Sequence, residues 1–292
     1  MRLITAIIPT LANAEREESL FRAIHSLSQS ISDTSLLRIL VVINGQKFSE
    51  RIIDKLKQQK IEHLFIEIGS LPLAILEGVK QVDTDLYCFL DDDDEYLPHA
   101  LDLRLTKINK DKAALVVSNG YRRINKQDNL IMNNINQVEN SPMDSLFKEN
   151  WLASCGGLYR TTDIGQHYFE KPQPYLEWTW LAYQIALANK KVSVIDTPTF
   201  IVNDTPGSLS KSEDYILAHI SLFKRMLQKK PEKIIKKIIK KRLTDTWHTT
   251  SDYYLKNNKW RKALKYHFKS ISSIYGTKYL TFSRKFLMKK FI

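Results

Sequence analysis

Five short apolar runs, separated by segments of helical period, constrain this chain more than any other feature. They are LITAII (3–8), RILVVI (38–43), LFIEI (64–68), LYCFL (86–90) and ALVVS (114–118). A strand with one wet face alternates apolar and polar residues, and these runs barely alternate, so both of their faces must be covered. The covers lie between them. Leu20, Ile24, Leu27 and Ile31 share one helical face, SERIIDKLKQQ forms a second helix, and Ile75, Leu76, Val79 and Val82 line a third that starts near Pro72. Leu97, Leu101, Leu105 and Ile108 mark a fourth. Strand and helix in alternation predict an α/β fold of Rossmann-like form, a mainly parallel central sheet with helices on both faces.

Open sheets of this kind bind ligands beyond the carboxyl ends of their strands. Pro9-Thr10, Asn44-Gly45, Gly69-Ser70 and the aspartates 91–94 stand there. The run YCFLDDDDEYLP (87–98) sets four aspartates and a glutamate directly behind a buried strand. Adjacent carboxylates repel, and only a positive partner makes their company favourable. Oxygen-only donors suit Mg²⁺ or Mn²⁺, which bind through one or two carboxylates together with substrate phosphates. If the strand continues into the run, Asp91 and Asp93 point one way and Asp92 and Asp94 the other. Neither GxxxxGK[ST] nor GxGxxG occurs, so a metal-bridged diphosphate is the expected ligand rather than a glycine-rich phosphate cradle.

Charge divides the chain. Residues 215–292 hold 21 Lys and Arg against Glu232, Asp245 and Asp252, a balance of +18, and residues 1–214 hold 23 basic against 29 acidic, a balance of −6. Residues 1–214 are therefore expected to form the α/β domain and 215–292 a basic helical extension. In PEKIIKKIIKKRL (231–243) Ile234, Ile235, Ile238 and Ile239 share one arc, with Lys233, Lys236, Lys237, Lys240 and Lys241 opposite. Such a helix either lies on an anionic membrane or packs on the body with its lysines in water. Residues 247–275, with Trp260, Leu264, Phe268 and Ile271 around Asn257-Asn258, read as a helical hairpin that caps the domain or serves a partner.

Cys88 and Cys155 lack metal-ligand spacing, which fits a reduced compartment. The opening MRLITAIIPT is too short for a signal peptide, and no apolar run is long enough to span a bilayer. A cytoplasmic protein is expected, peripheral at the inner face of the cell membrane if the basic helix binds lipid.

AIIPT (6–10), FLDDDDEYLP (89–98), NWLASCGGLYR (150–160) and YLEWTWLAYQIA (175–186), in this order, resemble four motifs of the large family of inverting, nucleotide-sugar-dependent glycosyltransferases with the GT-A fold, often called family 2. The resemblance covers roughly residues 1–214. It implies a metal, Mn²⁺ or Mg²⁺, held by Asp91 and Asp93. It implies a nucleotide-sugar donor, a UDP-sugar by preference, along Pro9, Thr10, Asn44, Gly69, Asp91 and Asp92. An acceptor side would include Trp151, Gly156 and Gly157, and Glu177 would be the base that takes the acceptor's proton. The implied acceptor is a glycan or lipid-linked glycan, as in polysaccharide biosynthesis. Three positions depart from the family's pattern. Asn44 stands where an acidic residue commonly reads the base, Ile75-Leu76 where an Arg-Asn pair is common, and Trp178 where the second acid of an "ED" pair is usual. Asp163, Glu170 and Asp204 remain alternatives to Glu177.

Two rival classes use part of the same evidence. A nucleotidyltransferase acting on sugar phosphates also places metal and carboxylates on an α/β sheet, but the glycine-rich basic loop usual near its first strand is absent. A non-catalytic polyanion- or nucleic-acid-binding protein would explain the +18 segment and leave the aspartate run without a purpose.

Overall fold

The computed structural model describes residues 2–204 and 212–288. Two compact units emerge, 2–172 with 177–204 and 173–176 with 212–288.

The first unit is built on one sheet. Its strands are β1 (Ile4–Thr10), β2 (Leu37–Asn44), β3 (Glu62–Ile66), β4 (Leu86–Phe89), β5 (Glu95–Tyr96), β6 (Leu115–Ile124), β7 (Gln127–Leu130), β8 (Gly157–Arg160) and β9 (Val192–Asn203). They run in the order β3-β2-β1-β4-β8-β6-β9-β5, with β7 added to β6. The four strands β3, β2, β1 and β4 are all parallel, as the apolar runs require. Beyond β4 the sheet changes character: β8 pairs antiparallel with both β4 and β6, while β9 returns parallel to β6.

Ile4, Ile7, Ile8, Val41, Val42 and Ile43 are completely buried, which explains why the strands scarcely alternate. Helices α1 (Glu17–Gln29), α2 (Glu50–Gln58), α3 (Leu71–Lys80) and α4 (Ala100–Asp111) follow the first strands in turn. The inner face of α1 is the expected Leu20, Ile24 and Leu27, with Ala23 added. A side chain at Gly78 of α3 would place its Cβ 2.6 Å from Ile7 Cγ2, so the glycine sets how closely α3 approaches the sheet. Helix α4 starts at Ala100, not at Leu97. The Leu97 N–H instead donates to Thr199 O at 2.9 Å, extending the β5–β9 pairing, and His99 enters the left-handed region to turn the chain into the helix. Three further helices, α5 (Gln137–Asn140), α6 (Pro142–Leu146) and α7 (Glu177–Leu187), complete this unit.

The second unit is helical, with α8 (Glu213–Gln228), α9 (Lys233–Lys256) and α10 (Trp260–Ile271). The Ser212 side chain caps α8 by accepting from Tyr215 N at 3.1 Å. The expected hairpin is present, with its turn at Asn257-Asn258. Ala263, His267 and Ser270 of α10 face inward. Small residues there let the helices approach, and Ser251 of α9 donates to Ala263 O at 2.8 Å. Trp260 and Phe268 consequently face solvent. At the start of α9, Ile239 is buried, Ile235 and Ile238 are half-buried, and Ile234 is exposed beside exposed lysines 233, 236, 237, 240 and 241.

Candidate active site

Parallel strands bring their carboxyl ends to one edge, and three of the residues singled out at those ends are linked there. The Asn44 Nδ2 amide donates to Thr10 O at 2.9 Å. The Thr10 hydroxyl donates to Asp92 Oδ2 at 2.6 Å and accepts from Ala12 N at 2.9 Å. Pro9 sits inside β1, paired with Val42 and buried. Gly45 has a φ of +92°, and a Cβ there would lie 3.3 Å from the Gly69 Cα. Two glycine backbones thus pass close together, leaving Gly69 beside the ends of β1 and β2 without any side chain over them.

The aspartate run does not continue β4. The strand stops at Phe89, and the run folds into a turn in which Asp94 N–H donates to Asp91 O at 3.1 Å. The alternation of Asp91 and Asp93 against Asp92 and Asp94 therefore does not hold. Aspartates favour turns, and a turn spreads four adjacent charges in three dimensions. Asp94 turns inward, 2% exposed, and accepts from Asn203 N at 3.0 Å and from the Cys155 thiol at 3.5 Å. The Asn203 side chain in turn donates to Asp93 O at 2.7 Å. Asp94 is thus a brace for the turn.

Asp91, Asp92 and Asp93 are partly buried. Desolvation pushes the Asp91 carboxyl up to about 7, opposed by a hydrogen bond from Ser154 and reinforced by the charges of Asp93, Asp92 and Glu177. Burial raises Asp92 as well, against the pull of Thr10 and Arg16. Arg16 was missed by the sequence reading. Its Nη1 lies 2.7 Å from Asp93 Oδ2 and 3.3 Å from Asp92 Oδ1. Asn13 fixes the approach by accepting from Arg16 N at 3.1 Å. A sequence signal existed: an N-capping Asn three residues before an Arg, just past the end of β1.

Glu177 opens α7, partly exposed, and adds to the field at Asp91. Its neighbour Trp178 packs on Phe89, ring centroids 5.0 Å apart, tying the start of α7 to the end of β4. Of the alternative bases, Asp163 is paired with Lys190 at 3.0 Å, while Glu170 and Asp204 are exposed. Trp151 is 1% exposed, and its indole N–H donates to Pro142 O at 2.8 Å. It forms part of the wall of a cavity of about 310 Å³ that Asn134, Gln137, Ser145, Lys148 and Glu149 also line. Gly156 and Gly157 are buried at the start of β8, where a Cβ on Gly157 would meet the Tyr159 ring at 2.7 Å.

An oxygen-only set, partly desolvated and crowded enough to raise its own proton affinity, suits a hard divalent cation. Among the described residues no group of three His, Cys, Asp or Glu side chains is placed to hold an ion unaided. Asp91 and Asp93 supply the type of oxygen donor that such a cation takes, and Asp93 Oδ2 is held by Arg16 at 2.7 Å.

The sequence model of glycosyl transferase family 2 matches residues 5–161, from β1 to the turn after β8. No curated protein matches the sequence. Among solved structures, S. aureus TarS 1–349 in complex with UDP-GlcNAc superposes with a TM-score of 0.63 at 15% identity, covering 85% of this chain and 72% of that one. The same fragment in complex with UDP gives 0.59 at 15% identity, covering 85% and 71%. In a further S. aureus TarS structure the match has a TM-score of 0.60 and 15% identity, spanning 85% of this chain and 43% of that one. At such identity the likeness is one of fold, the GT-A arrangement of a curled, mostly parallel sheet. Because the family's sequence signature runs over more than half of the chain and encloses the acidic turn at the sheet edge, this protein belongs to glycosyl transferase family 2 and is a glycosyltransferase.

Proposed function

We propose that the protein transfers one sugar, with inversion, from a nucleotide-sugar donor to a glycan or lipid-linked glycan acceptor. The observation that carries this reading is the carboxylate cluster at the strand ends, where Glu177 and Asp91 share one electrostatic environment. The UDP and UDP-GlcNAc complexes of the structurally similar TarS support a uridine nucleotide as donor.

Asp91 and Asp93 would hold Mn²⁺ or Mg²⁺, which when bound supplies positive charge for a departing diphosphate. Thr10 and Asn44 are buried, 3% and 5% exposed, and would act by holding the strand ends and the turn in place, while the exposed Gly69 backbone leaves room for the nucleoside. Thr10 also fixes Asp92 at 2.6 Å, so the turn keeps one shape as the donor arrives. Glu177, at the first position of α7, takes the proton from the acceptor hydroxyl as that oxygen attacks the anomeric carbon from the face opposite the leaving group. Trp151, Gly156 and Gly157 form the acceptor side by shaping backbone rather than by stacking, since all three are buried. The buried Ser145 Oγ, with no hydrogen-bond partner among the described residues, supports a sugar-sized acceptor cavity beside Trp151.

No helix among the described residues is long and apolar enough to cross a membrane. The lysines of 231–243 support action at the cytoplasmic face of an anionic membrane, where a lipid-linked acceptor would be met.

Calorimetric titration of UDP, GDP, CDP and dTDP, in Mn²⁺ and then in EDTA, tests the donor reading. Mn²⁺-dependent binding of UDP, lost in Asp93→Asn, is expected. Binding of UDP that is equally tight in EDTA would remove the metal from the mechanism, and preference for another base would reassign the donor.

A further inference from the structure

Helix α10 turns two large aromatic side chains outward. Trp260 and Phe268 are 55% and 59% exposed, with Leu264 and Ile271 half-buried between them and the packed face. At 100° per residue these four occupy one shoulder of the helix, and Arg261, Lys262, Lys265 and Lys269 follow on the next. Lys224 of α8 stands close enough to add its charge to this group. Of the acids in the second unit, Glu213 pairs with Lys259 and with Lys262 of this group, Asp245 with Lys278, and Asp252 with Lys256 and Lys285. Asp214 accepts from the Tyr175 hydroxyl at 3.5 Å, and Glu232 is exposed just before α9. Among the described residues no acid pairs with Lys224, Lys265 or Lys269. Burial and the like charges of Lys224 and Lys265 make Lys269 give up its proton more readily than usual, the sign of a cation cluster lacking an anion.

We propose that this face of α10 docks on a membrane carrying anionic lipids, with Trp260 and Phe268 entering the headgroup boundary and the lysine cluster meeting lipid phosphates. The combination selects this partner. The phosphates of a nucleic-acid duplex would account for the lysines but leave two large aromatic side chains in water. Bases of a single strand could stack on them, and such a partner would leave the protein indifferent to anionic vesicles. A purely apolar partner would leave the positive cluster uncompensated. A membrane interface takes both, an amphipathic indole at headgroup depth beside basic side chains. The inference does not depend on the donor or metal reading, and it differs from attachment through 231–243, where Ile239 is already spent on packing.

Co-sedimentation of the full chain with vesicles of phosphatidylcholine, with and without about one third phosphatidylglycerol, provides the test. Each basic residue near an anionic surface contributes roughly fivefold in partitioning. Binding is expected only to the phosphatidylglycerol vesicles. Trp260→Ala with Phe268→Ala should weaken it at least tenfold, and Lys265→Glu with Lys269→Glu should abolish it. Lys236→Glu with Lys240→Glu, on α9, should weaken binding less than the aromatic pair does. All four sites of the α10 variants are exposed or half-exposed, so unchanged far-UV circular dichroism and melting are expected controls. The proposal is overturned if the protein ignores phosphatidylglycerol vesicles, or if the aromatic double variant binds as the wild type does. It is also overturned if Phe268 proves to bury itself between two copies in a concentration-dependent dimer.

Discussion

Asp91 and Glu213 are both carboxylates within clusters of charge, and their surroundings act on them in opposite directions. Asp91 sits at the edge of the sheet, and desolvation together with three neighbouring carboxylates pushes it up to about 7. Glu213 begins α8 among Lys259, Tyr254 and Lys262, whose hydrogen bonds pull it down to about 2. The first cluster is costly as it stands and is partly relieved by Arg16 and by hydrogen bonds from Thr10 and Ser154, a state in keeping with the proposed cationic partner. The second is already satisfied and ties α8 to α9 and α10. Crowded like charges mark function, and paired opposite charges mark architecture.

Four experiments probe this contrast. The largest effect is expected for Glu177→Gln, which should lower kcat about 10²- to 10³-fold while leaving donor KM nearly unchanged, the split of a lost general base. An unchanged kcat would return the role to Asp163, Glu170 or Asp204. Next is Arg16→Gln. With the guanidinium gone from Asp93, Mn²⁺ binding without nucleotide, followed by electron paramagnetic resonance, should tighten about fivefold, the scale of one partly exposed charge-assisted hydrogen bond. Weaker binding would mean that Arg16 shapes the turn rather than competing with the metal.

The third experiment concerns pH. The folded Asp91 carboxyl titrates above its unfolded value, so its contribution to stability is full below about 4 and is lost as pH rises through about 7. In EDTA, Asp91→Asn should therefore melt a few degrees above wild type at pH values beyond about 7, with the gap closing as pH falls toward 4. The smallest effect is expected for Glu213→Gln. Here the folded value is depressed, so the stabilisation is present above about 4.5 and lost as pH falls toward 2. The variant should melt lower than wild type at neutral pH and match it near pH 2. If Asp91→Asn and Glu213→Gln showed the same pH trend, the contrast between the two clusters would fail.

Much of the fold was legible because burial on both faces leaves a mark in composition. Continuous apolar runs gave β1, β2, β4 and the start of β6, and strand ends located Thr10, Asn44, Gly69 and the aspartates along one edge. The run 64–68 overlaps β3 only in part: the strand spans Glu62–Ile66 at the end of the sheet with no buried residue, and Phe65 and Ile68 are exposed, because a terminal strand is not covered on both faces. The antiparallel insertion of β8 between β4 and β6 left no such mark, since a four-residue strand that opens on a buried glycine has no period to read. Which face of α10 packs was not legible for a related reason. Large apolar residues at helical spacing suggest a core face, but Ala263 and Ser270 allow a closer helix contact than Trp260 and Phe268 could.

The sequence by itself determined the class of the sheet, the edge at which its parallel strands end, the acidic run at that edge and the basic character of the C-terminal helices. Local composition and period carry all of these. Only the tertiary structure decided that the run is a turn, that Asp94 braces it from inside, that Arg16 meets Asp93, and that Glu177 shares the field of Asp91. Arg16 and Asp93 stand 77 positions apart, Asp94 and Asn203 109, Asp94 and Cys155 61, and Asp91 and Glu177 86. No local pattern encodes such pairs, because they follow from where parallel strands end and which helices pack beside them.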